Sequence, residues 1–274
     1  MVPLDPNAGP ALVRKGAGCR SWSARSMATP LLVFDFDGVL VDGMAEYWWA
    51  ARRAVLALAP GVALPERAPT AFARLRPLIH NGWEMVLVAA ELSRPDLDLP
   101  ALLADYDAAL PAALARWGWQ PPLLQASLER VRHGAIAEDR AGWLALHRFY
   151  PGVPERLAAL AAEDAAWMVL TTKGTAFARE LLVAAGLEPA AVYGHEQGDK
   201  PAVLGRLRNP DRPLWFVEDR RPTLERVRAT AGLEEVRCFL VSWGYLAPGD
   251  RERLPEGITL LEPQTFAAPL ARWP

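Results

Sequence analysis

Apolar residues along the chain follow two regimes. After residue 150, short continuous runs, "WMVL" (167–170), "AAVYG" (190–194), "LWFV" (214–217), "CFLVS" (238–242) and "ITLL" (258–261), alternate with amphipathic stretches such as "TAFARELLVAAG" (175–186) and "RPTLERVRATAG" (221–232). The two stretches end on Gly186 and Gly232, and Pro222 opens the second, which are helix stop and start signals. Strands that are apolar throughout, rather than at every second residue, predict a parallel sheet covered on both faces. The alternation predicts βαβ units and an α/β, Rossmann-like core, in which ligands bind beyond the carboxyl ends of the strands. "LLVF" at 31–34 reads as a first strand of the same kind.

Residues 44–149 show a helical pattern rich in Ala, Leu and Trp, broken by Pro60, Pro65, Pro95, Pro100, Pro121 and Pro122. "AEYWWAARRAVLALA", "TAFARLRPLIHNGWEMVLVAAEL", "PALLADYDAALPAALARWG" and two stretches after Pro122 are expected as helices. They predict an all-α bundle inserted after the first strand. The α/β core would then comprise residues 29–43 and 150–274, with "YPGVPERLAALAAE" (150–163) marking the return to it. Trp48, Trp49, Trp83, Trp117, Trp119 and Trp143 are assigned to the core of this bundle, because aromatics dominate the burial a small module needs. Arg52, Arg53, Arg74 and Arg76 are assigned to a solvated helix face. His80 and Asn81, in "RPLIHNGWE" (76–84), interrupt the pattern and are candidates for a substrate-specificity loop.

With 274 residues and a formal charge of −2, the chain has neither a basic face for nucleic acid nor an acidic tail. No apolar run reaches the roughly 20 residues that cross a bilayer, so no membrane association is expected. Cys19 and Cys238 support neither a disulfide framework nor a zinc site, and a reducing cytoplasm is the expected location. Residues 1–28, rich in Gly, Pro, Ser and Arg with Asp5 the only acid, are expected to be a disordered leader. Met27 would then be the natural start, with a processed targeting segment as the alternative. "GAG" at 16–18 is no nucleotide-binding loop, since no strand precedes it and Ser21 stands in place of the third glycine.

Candidate chemistry gathers at strand ends. Asp35 and Asp37 follow the first strand, Thr171 and Thr172 the run "WMVL", and Glu218 and Asp219 the run "LWFV"; Lys200 lies in "GDKPAVL" before a helix. Carboxylates facing one another are costly unless a cation neutralises them, and hard oxygen ligands suit Mg2+. Together with an anion-binding lysine, they suit phosphate.

In this order, "DFDGVLVD", "VLTTKG", "GDKPAVL" and "FVEDRRPTLERVRATAG" resemble the motifs of the haloacid dehalogenase superfamily of phosphatases and phosphomutases. The helical insertion resembles that family's small cap, and the resemblance covers residues 31 to about 261. It implies that Asp35 is the nucleophile and forms an aspartyl phosphate. Asp37 would be the general acid and base, with Thr171 and Lys200 gripping the phosphoryl oxygens. Asp35, the backbone carbonyl of Asp37, and Asp219 would hold Mg2+, with Glu218 direct or through water. Gly38 would allow the tight turn after the nucleophile, Asp42 matches a family acid, and Thr172, His80 and Asn81 would touch substrate. The implied substrate is a small phosphorylated metabolite, phosphoglycolate or a sugar phosphate. One departure stands out: Thr223 and Leu224 occupy positions where the family often carries a further acid, and Glu218 would replace it. Lys173 is assigned to a loop and His195 likewise. A phosphomutase or a non-catalytic binding protein of the same fold are the alternatives, while Asp37 counts against a dehalogenase.

Overall fold

Every residue of β1 (Leu31–Phe34) is buried, and this strand lies inside a six-stranded parallel sheet. The computed structural model describes residues 29–274, so the expected leader and Cys19 lie outside the described residues. The sheet order is β5 (Ala191–Tyr193), β4 (Trp167–Leu170), β1, β6 (Leu214–Glu218), β7 (Arg237–Val241) and β8 (Ile258–Leu261). All five strands expected after residue 150 form within a residue or two of the apolar runs, because a doubly covered strand has no polar face to blur its limits. Phe34 pairs with Val169 on one side and Val217 on the other, so the chain reverses its direction of winding at β1 and opens a crevice at the strand ends.

The helices α7 (Val153–Ala159), α8 (Thr175–Ala184), α9 (Lys200–Leu207), α10 (Arg221–Ala229) and α11 (Pro263–Ala267) belong with this sheet. Phe34, Val169, Val217 and Phe239 pack with Phe177, Leu181 and Phe266, and Val33, Phe216 and Leu240 pack with Val203, Leu204, Leu224 and Val227. Each such side chain contributes roughly 1.5–3 kcal/mol by leaving water. Cys238 is buried among the second group.

Residues 44–145, between the first strand and α7, form six α-helices: α1 (Met44–Leu58), α2 (Thr70–Leu75), α3 (Gly82–Glu91), α4 (Leu99–Ala104), α5 (Tyr106–Trp117) and α6 (Pro121–Ala145). They enclose a core of their own around Tyr47, Trp48, Phe72, Leu75, Leu87, Trp119 and Leu124. A ribbon of β2 (Val41–Asp42) and β3 (Arg148–Phe149) joins this cap to the sheet, pairing Val41 with Phe149 and Asp42 with Arg148. Two helices expected as single runs are each split. The stretch 70–92 breaks at Ile79–Asn81, and 100–118 breaks at Asp105, whose side chain caps α5 on the backbone NH of Ala108. The two stretches expected after Pro122 are the two arms of α6, separated at Asp139, whose backbone is not helical. Trp143 differs from expectation too, since it packs with Phe177 on the sheet side. No described helix is long and apolar enough to cross a membrane.

Candidate active site

Because β1, β4 and β6 are neighbours in register, the residues that follow them meet at one point. Asp35, Glu218 and Asp219 are buried there, and an oxygen from each lies within 4.8 Å of the others. Lys200, the first residue of α9, donates from Nζ to Asp35 Oδ1 at 2.7 Å and to Glu218 Oε2 at 2.6 Å. Asp199, just before it, caps α9 on the backbone NH of Ala202 and so fixes where Lys200 starts. The other oxygen of Glu218, Oε1, accepts from the backbone NH groups of Asp219 and Arg220 and shapes the turn after β6. Three carboxylates around one ammonium leave a local deficit of positive charge, and its cost appears in the acids themselves. Burial, opposed by Lys200, pushes Asp35 up to about 7. Burial and then the charges of Glu218 and Asp35 push Asp219 well above the carboxylate range. For Glu218, burial is outweighed by Lys200, which holds its carboxyl low.

Asp219 is clamped by backbone. Its Oδ2 accepts from the NH of Tyr245 at 2.8 Å, and glycines press on it from two sides. Gly38, at φ +94°, and Gly244 each lie so close that a Cβ would collide with the Asp219 side chain. Asp42 anchors the same loop, accepting from the Tyr245 hydroxyl at 2.8 Å.

A cleft of about 560 Å3 covers this cluster, and Thr171, Thr172, His80, Asn81 and His195 are among its walls. Thr171 is buried at the end of β4 and its Oγ1 accepts from the NH of Lys173 at 3.0 Å, whereas Thr172 is exposed. His80 Nε2 lies 2.9 Å from Arg220 and 3.0 Å from Asp107, and Glu84 receives the backbone NH groups of His80 and Asn81, which sets this corner of the cap over the cleft. His195 Nε2 lies 3.0 Å from Glu129 of α6, so its loop too touches the cap. Thr223 lines the cleft and receives Arg220, while Leu224 is buried in the sheet core.

Asp37 stands apart from the acidic cluster. Its carboxylate turns toward Lys173, with Nζ 3.4 Å from Oδ1. Lys173 lies in the turn after β4, as expected from the sequence, but its side chain is not solvated: it is 1% exposed and sits between Asp37 and Glu46 of α1. Arg76 departs from its assignment to a solvated face. It is half-buried on the wall of the cleft, its guanidinium between the rings of Tyr47 (5.0 Å) and Tyr245 (4.4 Å). Its one legible signal was Pro77, just past the end of α2; for Lys173 it was the position two residues past a strand-end threonine.

The chain superposes on solved structures that include proteins described as phosphatases and haloacid dehalogenase-like hydrolases. It resembles a predicted phosphoglycolate phosphatase from Haemophilus somnus, with 18% identity, 84% of this chain, 93% of that chain and a TM-score of 0.53. It also resembles a protein described as a haloacid dehalogenase-like hydrolase from Bacteroides fragilis, with 15% identity, 85% of this chain, 97% of that chain and a TM-score of 0.53. The fold is that of the capped haloacid dehalogenase-like hydrolases. The chain also resembles Protein Tyrosine Kinase A of Mycobacterium tuberculosis, with 18% identity, 89% of this chain, 96% of that chain and a TM-score of 0.53. No protein-family model matches the sequence, and no curated protein does either.

Proposed function

We propose that the protein is a Mg2+-dependent phosphatase that hydrolyses a small phosphorylated metabolite, phosphoglycolate or a sugar phosphate, through an aspartyl phosphate on Asp35. The observation that carries this reading is the convergence of Asp35, Lys200, Glu218 and Asp219 at the end of β1, under a cap that leaves room for a small molecule. The donor set fits the ion, since it consists of hard carboxylate oxygens short of positive charge, with Asp219 held rigidly by two glycines and the Tyr245 amide. Asp35, the carbonyl of Asp37, Asp219 and Glu218 would hold it. When bound, Mg2+ supplies positive charge that offsets the charge building up on the phosphoryl oxygens.

Everything else falls to the chain's own groups. Lys200 holds Asp35 Oδ1, which fixes the carboxylate with its other oxygen available for attack on phosphorus. Lys200 and the Thr171 hydroxyl take the phosphoryl oxygens as the leaving oxygen departs. Asp37 gives that oxygen a proton and later takes one from the water that cleaves the aspartyl phosphate, so no net proton stays on the protein. Thr172, His80 and Asn81 face the leaving group, and the cap excludes bulk water. The test is phosphate release from a panel of phosphorylated metabolites with and without Mg2+, run beside Asp35→Asn. Selective, Mg2+-dependent release that the variant lacks is the expected result; no release, or equal release by both proteins, overturns the reading.

A further inference from the structure

A second set of charges, distinct from the acidic cluster, runs inward from Asp37. Lys173 Nζ lies 3.4 Å from Asp37 Oδ1 and 3.9 Å from Glu46 Oε2, and 5.1 Å above the ring of Tyr47. Glu46 is fully buried and accepts from Arg132 Nε and Nη2, both at 2.8 Å, in a two-pronged pair, with Trp143 Nε1 at 3.3 Å. Asp37, Lys173, Glu46 and Arg132 alternate in sign, so the row is neutral as a whole and none of its members is a buried charge without a counter-charge. Its members come from four different elements: the turn after β1, the turn after β4, α1 and α6.

The loose end of this row is functional in position. Glu46 and Arg132 satisfy each other, whereas Lys173 Nζ and Asp37 Oδ1 are both buried without a hydrogen bond. A buried ammonium whose three donors make no hydrogen bond is costly, so Lys173 is held in place by the charges around it. Glu46, fixed by Arg132 from the cap, is that support. The direct consequence is that the Asp37 carboxylate has one cation at its inner oxygen, and that cation is placed by the cap.

We propose that Lys173 is a positioning residue for Asp37: supported by Glu46 and Arg132, it holds the inner carboxylate oxygen so that the other faces the leaving oxygen of the substrate. The inference rests on the phosphatase reading above. Lys173 touches neither the phosphoryl group nor the metal ligand oxygens, and acts only through Asp37.

The test exploits leaving groups. An alkyl phosphate must have its leaving oxygen protonated, whereas nitrophenolate departs from p-nitrophenyl phosphate without help. Lys173→Met is expected to lower kcat for the best alkyl phosphate of the panel by about 10²-fold, within the range that general acid catalysis supplies. KM should stay within about two-fold, and p-nitrophenyl phosphate should lose less than about five-fold. The double variant Asp37→Asn/Lys173→Met should be no slower than Asp37→Asn alone, since one residue acts through the other. Equal loss with both substrates, or a double variant slower by the product of the two single effects, overturns the proposal. If Lys173→Met melts below the assay temperature, Lys173→Arg takes its place, with the same bias toward alkyl phosphate expected and a uniform loss refuting it. Wild-type protein that releases no phosphate from any substrate overturns the phosphatase reading itself, which a uniform loss in the variant does not.

Discussion

His147 lies between α6 and β3, with its side chain 1% exposed and its Nε2 without a hydrogen bond. Its Nδ1 is 3.1 Å from the carbonyl of Trp143, which can only accept, so the single proton of the neutral ring sits there. Burial, and then the ammonium of Lys173, depress its pKa from 6.5 to about 4, against a smaller pull from Glu46. The unfolded chain therefore binds the proton first as pH falls. The associated stability is complete above pH 6.5, declines below it, and is gone below 4. At about 1.4 kcal/mol per factor of ten, the depression corresponds to about 3 kcal/mol, most of it lost by about pH 4.5. His147→Gln keeps a donor for Trp143 and removes the titration. Urea unfolding of both proteins, at intervals from about pH 7.5 to 4.5, should show the wild type losing about 2–3 kcal/mol more than the variant. A constant difference between the two across that range would refute the reasoning, whatever the variant's absolute stability.

Other expectations follow from the same geometry. Glu46, where burial is outweighed by Arg132 and then Lys173, is held at about 2, so its share of stability is present above pH 4.5 and lost as pH falls toward 2. Arg132→Met should cost about 3–5 kcal/mol in urea unfolding, while Glu46→Gln/Arg132→Met recovers most of it; equal losses in both would contradict a pair that matters through its uncompensated partner. Gly38→Ala forces a side chain into φ +94° and into Asp219, and should abolish Mg2+-dependent phosphate release with a loss of at least about 1–2 kcal/mol from the backbone alone. Chelation of divalent cations should stop turnover and added Mg2+ restore it; activity that persists after chelation would remove the metal from the mechanism.

The fold was legible where burial was uniform. Each strand after residue 150 announced itself because a parallel strand covered on both faces is apolar at every position. Cap helices were harder, since Ala and Leu continue a helical pattern through Asp105 and through Ile79–Asn81, and what ends those helices is the local competition of a carboxylate for backbone NH groups. At the site, residues that follow strands could be placed by topology alone: the structure brings Asp35, Lys200, Glu218 and Asp219 together and sets Thr171, Thr172, His80 and Asn81 around them. For Lys173, found in its expected loop, and for Arg76 alike, the part the sequence hid was the environment of the side chain. A lysine in a polar turn, like an arginine on a helical stretch, reads as solvated, and only tertiary structure reveals that Lys173 points toward Glu46 and that Arg76 lies between two tyrosine rings.

Gly38 and Gly244 stand at opposite ends of the chain and press on one carboxylate. A side chain at either position could be accommodated only if Asp219 moved, so three residues that share no local sequence are locked into a single choice. This gives a criterion for sorting other chains of this shape without any assay: one that keeps the acids but has lost either glycine has given up the geometry that makes them useful, and is better read as a descendant that has left this chemistry behind.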